Sequence, residues 1–333
     1  MSSTLDPARR AELVGSMLRA IVVAEGSTPV GDPAGLGGGA AIMSDDGTAW
    51  ALLGERSVGG LGGALAWALR RDAKRVHVIA SEGAGALARR AAWFTVPITV
   101  SRLADRVLVP AVAEPLPASA PVPTHHRDLA ALIVAGGAEP TEEHGVLAGE
   151  VAGLEVCRVV DDLHTGVTRL EVGVGAHDRE TFQLVHGDRP TVEALADVVR
   201  AVATHRSVGA EIHPLNQLGA SRLLRSRVIA QPALIDSTIA ALVAAEPPLP
   251  RTNLKDQVPC VATEVGGSRI VVCSTGVDLE VVAFAGDAAA RHGSDGVIIA
   301  APARDVLDIQ QRLASLLVVP TRFAAVASAT SSS

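Results

Sequence analysis

Two proline-rich breaks limit how this chain can fold. Residues 113–124 (AEPLPASAPVPT) alternate proline with small side chains, and a second break lies at 247–250 (PPLP). Because proline fixes φ and lacks an N–H, residues 113–124 cannot form a helix or a sheet ladder, and we predict an extended linker there. The predicted divisions are an α/β unit over 1–112, the linker over 113–124, a mixed α/β middle region over 125–230, a second α/β unit over 231–325 and a disordered tail over 326–333.

The core must be built from small and branched side chains. The 333 residues are 48% hydrophobic, and the chain holds four Phe, three Trp and no Tyr. Ala, Val, Leu and Ile therefore supply most of the apolar volume, and such a core needs many close helix–sheet contacts. Together with segments of helical and strand periodicity, this composition predicts the α/β fold class.

Hydrophobic spacing and turn residues predict the elements of the first unit. Asp6-Pro7 is typical of a helix start, and Ser44-Asp45-Asp46-Gly47 is typical of a hairpin turn. In chain order, the predictions are a helix over 7–23, a Gly/Pro-rich loop over 25–39, strands over 40–43 and 48–53, a helix over 61–71, a strand over 75–80, a helix over 84–94 and strands over 97–100 and 106–109.

The same signals predict the elements of the rest of the chain. In the middle region they are a helix over 141–150, strands over 154–160, 169–175 and 182–186, and helices over 191–205 and 222–229. In the last region they are a helix over 232–245, a hairpin of strands over 260–264 and 269–274, a helix over 279–291, a strand over 297–300 and a helix over 304–317.

The two ends of the chain share one order of elements. Residues 48–100 match residues 268–323 at an offset of about 220 positions, and each copy follows a predicted long helix, over 7–23 or 232–245. We therefore expect two similar αββαβα-type units that flank the middle region. Such copies pack as a pseudo-twofold pair or share one sheet.

Charge and cysteine content exclude several classes of protein. The net charge of −7 disfavours generic, charge-driven nucleic-acid binding. Cys157, Cys260 and Cys273 are too few and too scattered for a disulfide framework or a zinc site, and each lies in an apolar, strand-like run. Without a signal-peptide pattern near Met1 or an apolar run of about 18 residues, we expect a cytoplasmic protein with no membrane segment.

The densest polar chemistry lies in the middle region. The segment His213 to Arg227 carries three arginines near a helix start, and planar guanidinium groups suit phosphate or carboxylate. The alternatives for this segment are salt bridges to another domain or a plain exposed face. Around residue 178 the alternative is a solvated hairpin turn. The predicted ligand-binding residues are His177, Asp178, Arg179, His213, Asn216, Arg222 and Arg225.

A second hypothesis assigns carboxylates of the same region to a metal. Glu150, Glu171 and Asp178 are the predicted ligands, with Mg²⁺ or Mn²⁺ as the ion. The order of elements resembles the core of restriction-endonuclease-like nucleases, which implies a carboxylate-bound divalent metal. That family carries an acidic-x-Lys pair on a strand, whereas neither Lys74 nor Lys255 follows an acidic residue by two positions on a predicted strand, so the resemblance favours a divergent, inactive relative.

Weaker signals do not change this ranking. The loop Gly54 to Gly63 lies before a predicted helix, where backbone N–H groups can hold phosphate, but close helix–strand packing explains its glycines better. His125-His126 is a metal-ligand pair without a third ligand nearby in sequence, and no Gly-x-Ser-x-Gly motif occurs. We favour a binding or scaffold protein over an enzyme, with an anionic small molecule or a protein as its partner. No cofactor is evident from the sequence. The sequence is also compatible with a homo-oligomer.

Overall fold

The computed structural model describes residues 6–54, 60–162, 166–175, 178–179, 191–207, 210, 213–250 and 258–327. Three sheets occur in this part of the chain, and the predicted α/β class is confirmed. The chain forms two compact bodies. The first comprises Met1–Leu116, Asp278–Arg291 and Leu307–Arg322, and the second comprises Pro117–Val277, His292–Val306 and Phe323–Ser333.

The first sheet has the strand order β1-β2-β3-β4-β5-β6. Its parallel strands are β3, β4 and β5, and the other neighbours are antiparallel. The loop predicted over 25–39 is wrong in part, because residues 29–36 form the strand β1. This strand pairs with β2 and has a bulge between Val30 and Ala34. As an edge strand, β1 tolerates its prolines. The elements are α1 (Pro7–Ala24), β1 (Pro29–Leu36), β2 (Gly39–Ser44), β3 (Thr48–Leu52), α2 (Leu61–Leu69), β4 (Arg75–Ala80), α3 (Ala84–Ala91), β5 (Ile98–Ala104) and β6 (Val107–Pro110).

The middle sheet is antiparallel, with the order β10-β9-β8-β7. The predicted helix over 141–150 is wrong. His144 and Gly145 have φ values of 50° and 80°, which suits a tight hairpin turn and pairs the flanking residues as strands. The elements are α4 (Thr124–Arg127), α5 (Ala130–Ala135), β7 (Glu139–Glu143), β8 (Val146–Val151), β9 (Leu154–Asp161), β10 (Thr168–Val172), α6 (Thr191–Arg206), α7 (Pro214–Gln217) and α8 (Ala220–Ala230). The predicted strand over 182–186 lies outside the described residues.

The last sheet has the order β11-β12-β13-β14-β15. The predicted helix over 232–245 is wrong, because Asp236 Oδ1 accepts hydrogen bonds from the backbone N (2.9 Å) and Oγ1 (2.7 Å) of Thr238 and closes a turn instead. The elements are the 3₁₀ turn Pro232–Leu234, β11 (Leu242–Ala245), β12 (Cys260–Glu264), β13 (Arg269–Cys273), α9 (Glu280–His292), β14 (Gly296–Pro302), the 3₁₀ turn Ala303–Asp305, α10 (Asp308–Ala314) and β15 (Thr321–Val326).

Small apolar side chains fill each core, as the composition requires. In the first body, α1 packs Leu18 and Val22 against Ile42 and Trp50 of the sheet. The middle sheet and the last sheet each have a core of their own in the second body, around Leu195 and around Val228. No helix in the described ranges is both long and apolar enough to cross a membrane.

A buried carboxylate joins α3 to α9 within the first body. Asp287 is fully buried and accepts hydrogen bonds from Arg89 Nε at 3.0 Å, Arg90 Nε at 2.8 Å and Trp93 Nε1 at 2.9 Å. Burial raises the pKa of Asp287, and the hydrogen bonds from the two arginines more than offset this, so the pKa lies below its ordinary value. These three donors satisfy a charge that would otherwise be costly in the interior.

Candidate functional site

Two of the predicted arginines lie side by side and are held by carboxylates of the middle sheet. Arg222 of α8 donates from Nη1 to Oε1 of Glu150 and from Nη2 to Oε2 of Glu143. Arg225 donates to the opposite oxygens, to Glu150 Oε2 at 3.0 Å and to Glu143 Oε1 at 3.1 Å. Each guanidinium thus bridges both carboxylates, and we call these four residues the Arg–Glu ring.

The ring is buried, and its two arginines stay charged. The side chains of Arg225 and Glu150 are 2% and 6% exposed. Burial lowers the pKa of Arg222, but the charges of Glu150 and Glu143 more than offset this and hold it above its ordinary value. Ion pairs of this kind are costly to bury and strongly destabilising to break on one side only.

A second group of charges lies on the strands next to the ring. Glu155, opposite Glu150 in the register of β8 and β9, is buried. It accepts from Arg158 Nε and Nη2 at 2.9 Å each and from Arg179 Nη1 at 2.8 Å. Glu171 is bound at 2.9 Å by Arg169, and its other oxygen lies 3.8 Å from Arg179 Nε.

A further buried arginine, Arg206, adds positive charge to this region. Arg206 donates to the carbonyl oxygens of Ala152 (2.8 and 3.1 Å), Leu215 (2.7 Å) and Leu218 (2.9 Å). In the described part of the chain it forms no salt bridge. Burial lowers its pKa to about 10, and the charge of Glu150 acts in the opposite direction. The guanidinium is therefore cationic at neutral pH.

Three members of the Arg–Glu ring, Glu143, Glu150 and Arg222, border a cavity of about 220 Å³ together with Glu155. One wall is the β7–β8 turn, where Glu246 Oε2 accepts from the backbone N of His144 at 2.7 Å. The Nε2 atom of His144 is buried and has no hydrogen-bond partner among the described residues. We call this cavity the charged pocket; its ionisable lining residues are Glu143, His144, Glu150, Glu155, Arg158 and Arg222.

The other predicted ligand-binding residues are placed elsewhere. Asp178 accepts from the backbone N of Val174 at 2.7 Å, and His213 Nδ1 accepts from the backbone N of Leu215 at 3.2 Å at the start of α7. Neither they nor Asn216 and Arg179 line the charged pocket, although Arg179 contacts Glu155 behind it. His177 lies outside the described residues.

The predicted metal ligands are not brought together. Glu150 belongs to the Arg–Glu ring, Glu171 pairs with Arg169, and Asp178 caps a backbone N–H. In the described ranges, one set of three metal-ligating side chains has its ligand atoms within 4.8 Å of one another, and it consists of His125, His126 and Asp161. The sequence showed the histidine pair, but Asp161 is remote in sequence and only the fold places it there.

The glycine-rich loop before α2 is described only at its two ends. Gly62 N–H at the start of α2 donates to Oε1 of Glu280 at 2.7 Å, so a carboxylate of the chain itself already occupies a position suited to a phosphate oxygen. A Cβ atom on Gly62 would lie 2.3 Å from the carbonyl oxygen of Leu279. This geometry favours close packing as the reason for Gly62. Residues 55–59 lie outside the described ranges.

Sequence reasoning missed Glu143, His144, Glu155 and Arg158 as members of one site. The helix predicted over 141–150 hid the hairpin that carries the first two. The spacing Glu155-x-x-Arg158 gave no signal, because side chains three residues apart on a regular strand point to opposite faces. Their contact occurs where the register of β8 and β9 shifts between Gly149 and Glu150. In comparisons with known proteins, no protein-family model, no curated protein and no solved structure matches the chain.

Proposed function

We propose that this chain is a binding protein whose charged pocket holds a small ligand that bears a phosphate or carboxylate group. The observation that carries the proposal is the position of Arg158 and Arg222, which both line the cavity while carboxylates fix their guanidinium planes. A guanidinium that is already oriented loses little conformational freedom when a planar or tetrahedral anion binds it.

Arginines around the pocket offset the charge of its lining, which holds three carboxylates against the two arginines Arg158 and Arg222. Among the described residues, four guanidinium groups contact the three carboxylates Glu143, Glu150 and Glu155. Arg206 adds a further buried cation, and its pKa responds to the charge of Glu150. Because each of the three lining carboxylates is paired with a guanidinium, an anion that binds Arg158 and Arg222 does not face an uncompensated carboxylate among the described lining residues.

The size of the pocket indicates a small ligand. Drug-sized ligands occupy sites of about 300–1,000 Å³. The charged pocket, at about 220 Å³, suits a metabolite of a few heavy atoms such as phosphate or a dicarboxylate. His144 Nε2, buried and without a hydrogen-bond partner in the described structure, offers such a ligand one more polar contact.

Thermal unfolding of the full chain tests the proposal. The probes are inorganic phosphate, sulfate, malonate and citrate, each compared with chloride at equal ionic strength. A bound ligand at 100 times its Kd adds about 2.7 kcal/mol to the stability of the folded state, so we expect at least one probe to raise Tm by several degrees. The proposal is wrong if no probe raises Tm beyond the chloride control.

A matched pair of variants locates the effect. Arg158 makes a bidentate contact with Glu155, and Arg269 makes the same contact with Glu264; both glutamates lie on strands. The two arginine side chains are 35% and 30% exposed. We expect Arg158→Gln to abolish the shift in Tm and Arg269→Gln to keep it. A shift that survives in Arg158→Gln would place the anion elsewhere and overturn the assignment to this pocket.

No side chain in the described residues favours the nuclease alternative. The strands β2 and β3 of the first sheet carry no carboxylate, and the predicted set Glu150, Glu171 and Asp178 is divided among separate partners. We therefore do not propose a catalytic role for these acids.

We also infer that the two ends of the chain are copies of one unit. In both outer sheets two antiparallel pairs precede a parallel one, and the same number of residues separates Thr48 from its partner Arg75 as Arg269 from its partner Gly296. The helix before the strands of the second copy is α8 and not the predicted 232–245 helix.

A symmetric contact supports this duplication. Phe94 and Leu317, each shortly before β5 or β15, face each other in an antiparallel bridge. Thr95 N donates to Leu316 O and Val318 N donates to Trp93 O, both at 2.8 Å. Exchanging the two copies exchanges these two hydrogen bonds, as a local twofold relation requires.

A further inference from the structure

We propose that His125, His126 and Asp161 form a binding site for Zn²⁺ or a divalent transition ion of similar ligand preference. Both histidines lie on the single turn of α4, and Asp161 is the last residue of β9. All three belong to the second body, and none lines the charged pocket. The inference is therefore independent of the proposed anion site.

The distances between the ligand atoms fit one small ion. Oδ1 of Asp161 lies 3.1 Å from Nε2 of His126 and 3.4 Å from Nε2 of His125. Tetrahedral zinc with bonds of about 2.0–2.1 Å separates neighbouring ligand atoms by about 3.3 Å. All three ligand atoms lie within 4.8 Å of one another, so small rotations of the rings would complete the set.

The burial of His126 is a second, independent observation. Its side chain is 10% exposed and faces Asp161, yet neither ring nitrogen makes an aligned hydrogen bond in the described structure. Nε2 lies 3.1 Å from Oδ1 of Asp161, so the buried imidazole and the carboxylate meet without an aligned hydrogen bond, and a metal ion would bind both atoms. His125, edge-on to His126 with ring centroids 4.6 Å apart, presents the second imidazole.

The carboxylate is already oriented by a neighbour. Thr168, directly opposite Asp161 in the register of β9 and β10, donates from Oγ1 to Oδ1 of Asp161 at 2.7 Å. Such outer contacts hold metal-ligating groups in place and are typical of protein metal sites.

The ligand types select the ion. Two imidazoles and one carboxylate suit Zn²⁺, Co²⁺ or Ni²⁺, whereas Mg²⁺ prefers oxygen ligands alone. Because the side chains of His125 and Asp161 are 58% and 46% exposed, the remaining coordination positions face solvent. Three protein ligands with an open position leave room for water or an exchangeable donor.

Calorimetric titration of the full chain, without a histidine tag and after treatment with a chelator, tests the site. We expect one Zn²⁺ per chain with no binding of Mg²⁺, and a visible absorption spectrum of tetrahedral type when Co²⁺ is used instead. His125→Ala changes a largely exposed residue and should abolish binding without unfolding the protein, which circular dichroism verifies. Thr168→Val should weaken binding by about 10-fold, because it removes only the orienting hydrogen bond.

The control variant is His205→Ala. His205 stacks on His213 with ring centroids 3.8 Å apart, so it belongs to a second histidine pair, which lacks a carboxylate within metal-ligand distance in the described ranges. We expect His205→Ala to bind Zn²⁺ as the unchanged chain does. The proposal is overturned if the unchanged chain binds no Zn²⁺, or if His125→Ala and Asp161→Asn bind it undiminished.

Discussion

Arg225 donates from Nη2 to Oε2 of Glu150 at 3.0 Å, in a position where the arginine side chain is only 2% exposed. The same carboxylate accepts from Arg222 through its other oxygen. The contact therefore joins α8, which packs on the last sheet, to β8 of the middle sheet, and both lie within the second body. These ion pairs therefore hold α8 and the last sheet in a fixed position against the middle sheet.

Removing the charge of Glu150 is expected to destabilise the chain strongly. Glu150→Gln leaves Arg222 and Arg225 buried with Glu143 as their shared carboxylate, and loss of one partner in a buried pair costs about 3–5 kcal/mol. The free energy of unfolding in urea measures this.

The control is Glu142→Gln. Glu142 pairs with Arg127, but the two side chains are 44% and 49% exposed. An exposed pair contributes about 0–1 kcal/mol, so this variant should unfold close to the unchanged chain. Equal losses in both variants would contradict a special role for the Arg–Glu ring.

The arginines of this ring could be predicted from the sequence, but their partners could not. Arg222 and Arg225 are three residues apart on a segment with helical periodicity, so their common face was visible. Glu143 and Glu150 lie on a hairpin whose turn depends on positive φ at a non-glycine residue, His144. Local propensity favours a helix there, and pairing with β9 overrides it.

The same limit applies to the candidate metal site. His125 and His126 are neighbours and were recognised as a ligand pair, but Asp161 reaches them only because β9 ends beside α4. In the first sheet the prediction succeeded because β2 and β3 are joined by a turn with a strong local signal. Contacts set by local sequence could be predicted, and contacts set by the packing of distant segments could not.

His77 is expected to make stability depend on pH between about 6.5 and 4. Its ring is stacked on Trp50 with centroids 4.3 Å apart, and Nε2 lies 2.8 Å from Oγ of the buried Ser101. Burial lowers its pKa to about 4 from 6.5. Between these values the unfolded chain binds the proton and the folded chain does not, so stability falls as the pH falls through this range.

Urea unfolding at a series of pH values measures this dependence. His77→Gln removes the titrating ring, so its stability should change less between pH 6.5 and 4 than that of the unchanged chain. A titration of His77 by NMR with a midpoint near 6.5 in the folded state would contradict the expectation.

Asp46 is expected to make the stability of the folded chain depend on pH in a second, more acidic range. Its carboxylate accepts from Ser44 Oγ at 2.6 Å and from the backbone N and Oγ1 of Thr48 at 3.0 and 2.9 Å. The hydrogen bond from Ser44, followed by those from Thr48, lowers the pKa of Asp46 to about 2. A lowered carboxyl pKa stabilises the folded state above the unfolded value of about 4, and this contribution disappears as the pH falls towards 2.

Acid titration of the unfolding transition distinguishes Asp46 from its neighbour. Asp46→Asn should be less stable than the unchanged chain at neutral pH and should lose less stability between pH 4 and 2. Asp45→Asn alters an exposed carboxyl of the same turn and serves as the control, with the acid dependence kept. If both variants lose as much stability between pH 4 and 2 as the unchanged chain, Asp46 is not the source of this pH dependence.

Two adjacent glycines of α2 are expected to respond in opposite directions to the same substitution. A Cβ on Gly62 would lie 2.3 Å from the carbonyl oxygen of Leu279 and 3.0 Å from Oε1 of Glu280, so the backbone beside α9 must move. A Cβ on Gly63 would meet only Leu36 Cδ1, at 3.8 Å, which is ordinary contact. Gly62→Ala should therefore destabilise by about 1–3 kcal/mol. Gly63→Ala should stabilise by about 0.5–1 kcal/mol, because alanine restricts the unfolded chain and suits a helix.

The comparison isolates packing from helix propensity, because both substitutions add one methyl group to the first turn of one helix. Urea unfolding of the two variants and the unchanged chain measures the difference. Gly62→Ala also strains the 2.7 Å hydrogen bond from Gly62 N–H to the half-buried Glu280, whose pKa is raised by desolvation. Displacement of Glu280 from that N–H would expose the start of α2 to anions. If Gly62→Ala were as stable as Gly63→Ala, close packing would not explain the glycine at this position.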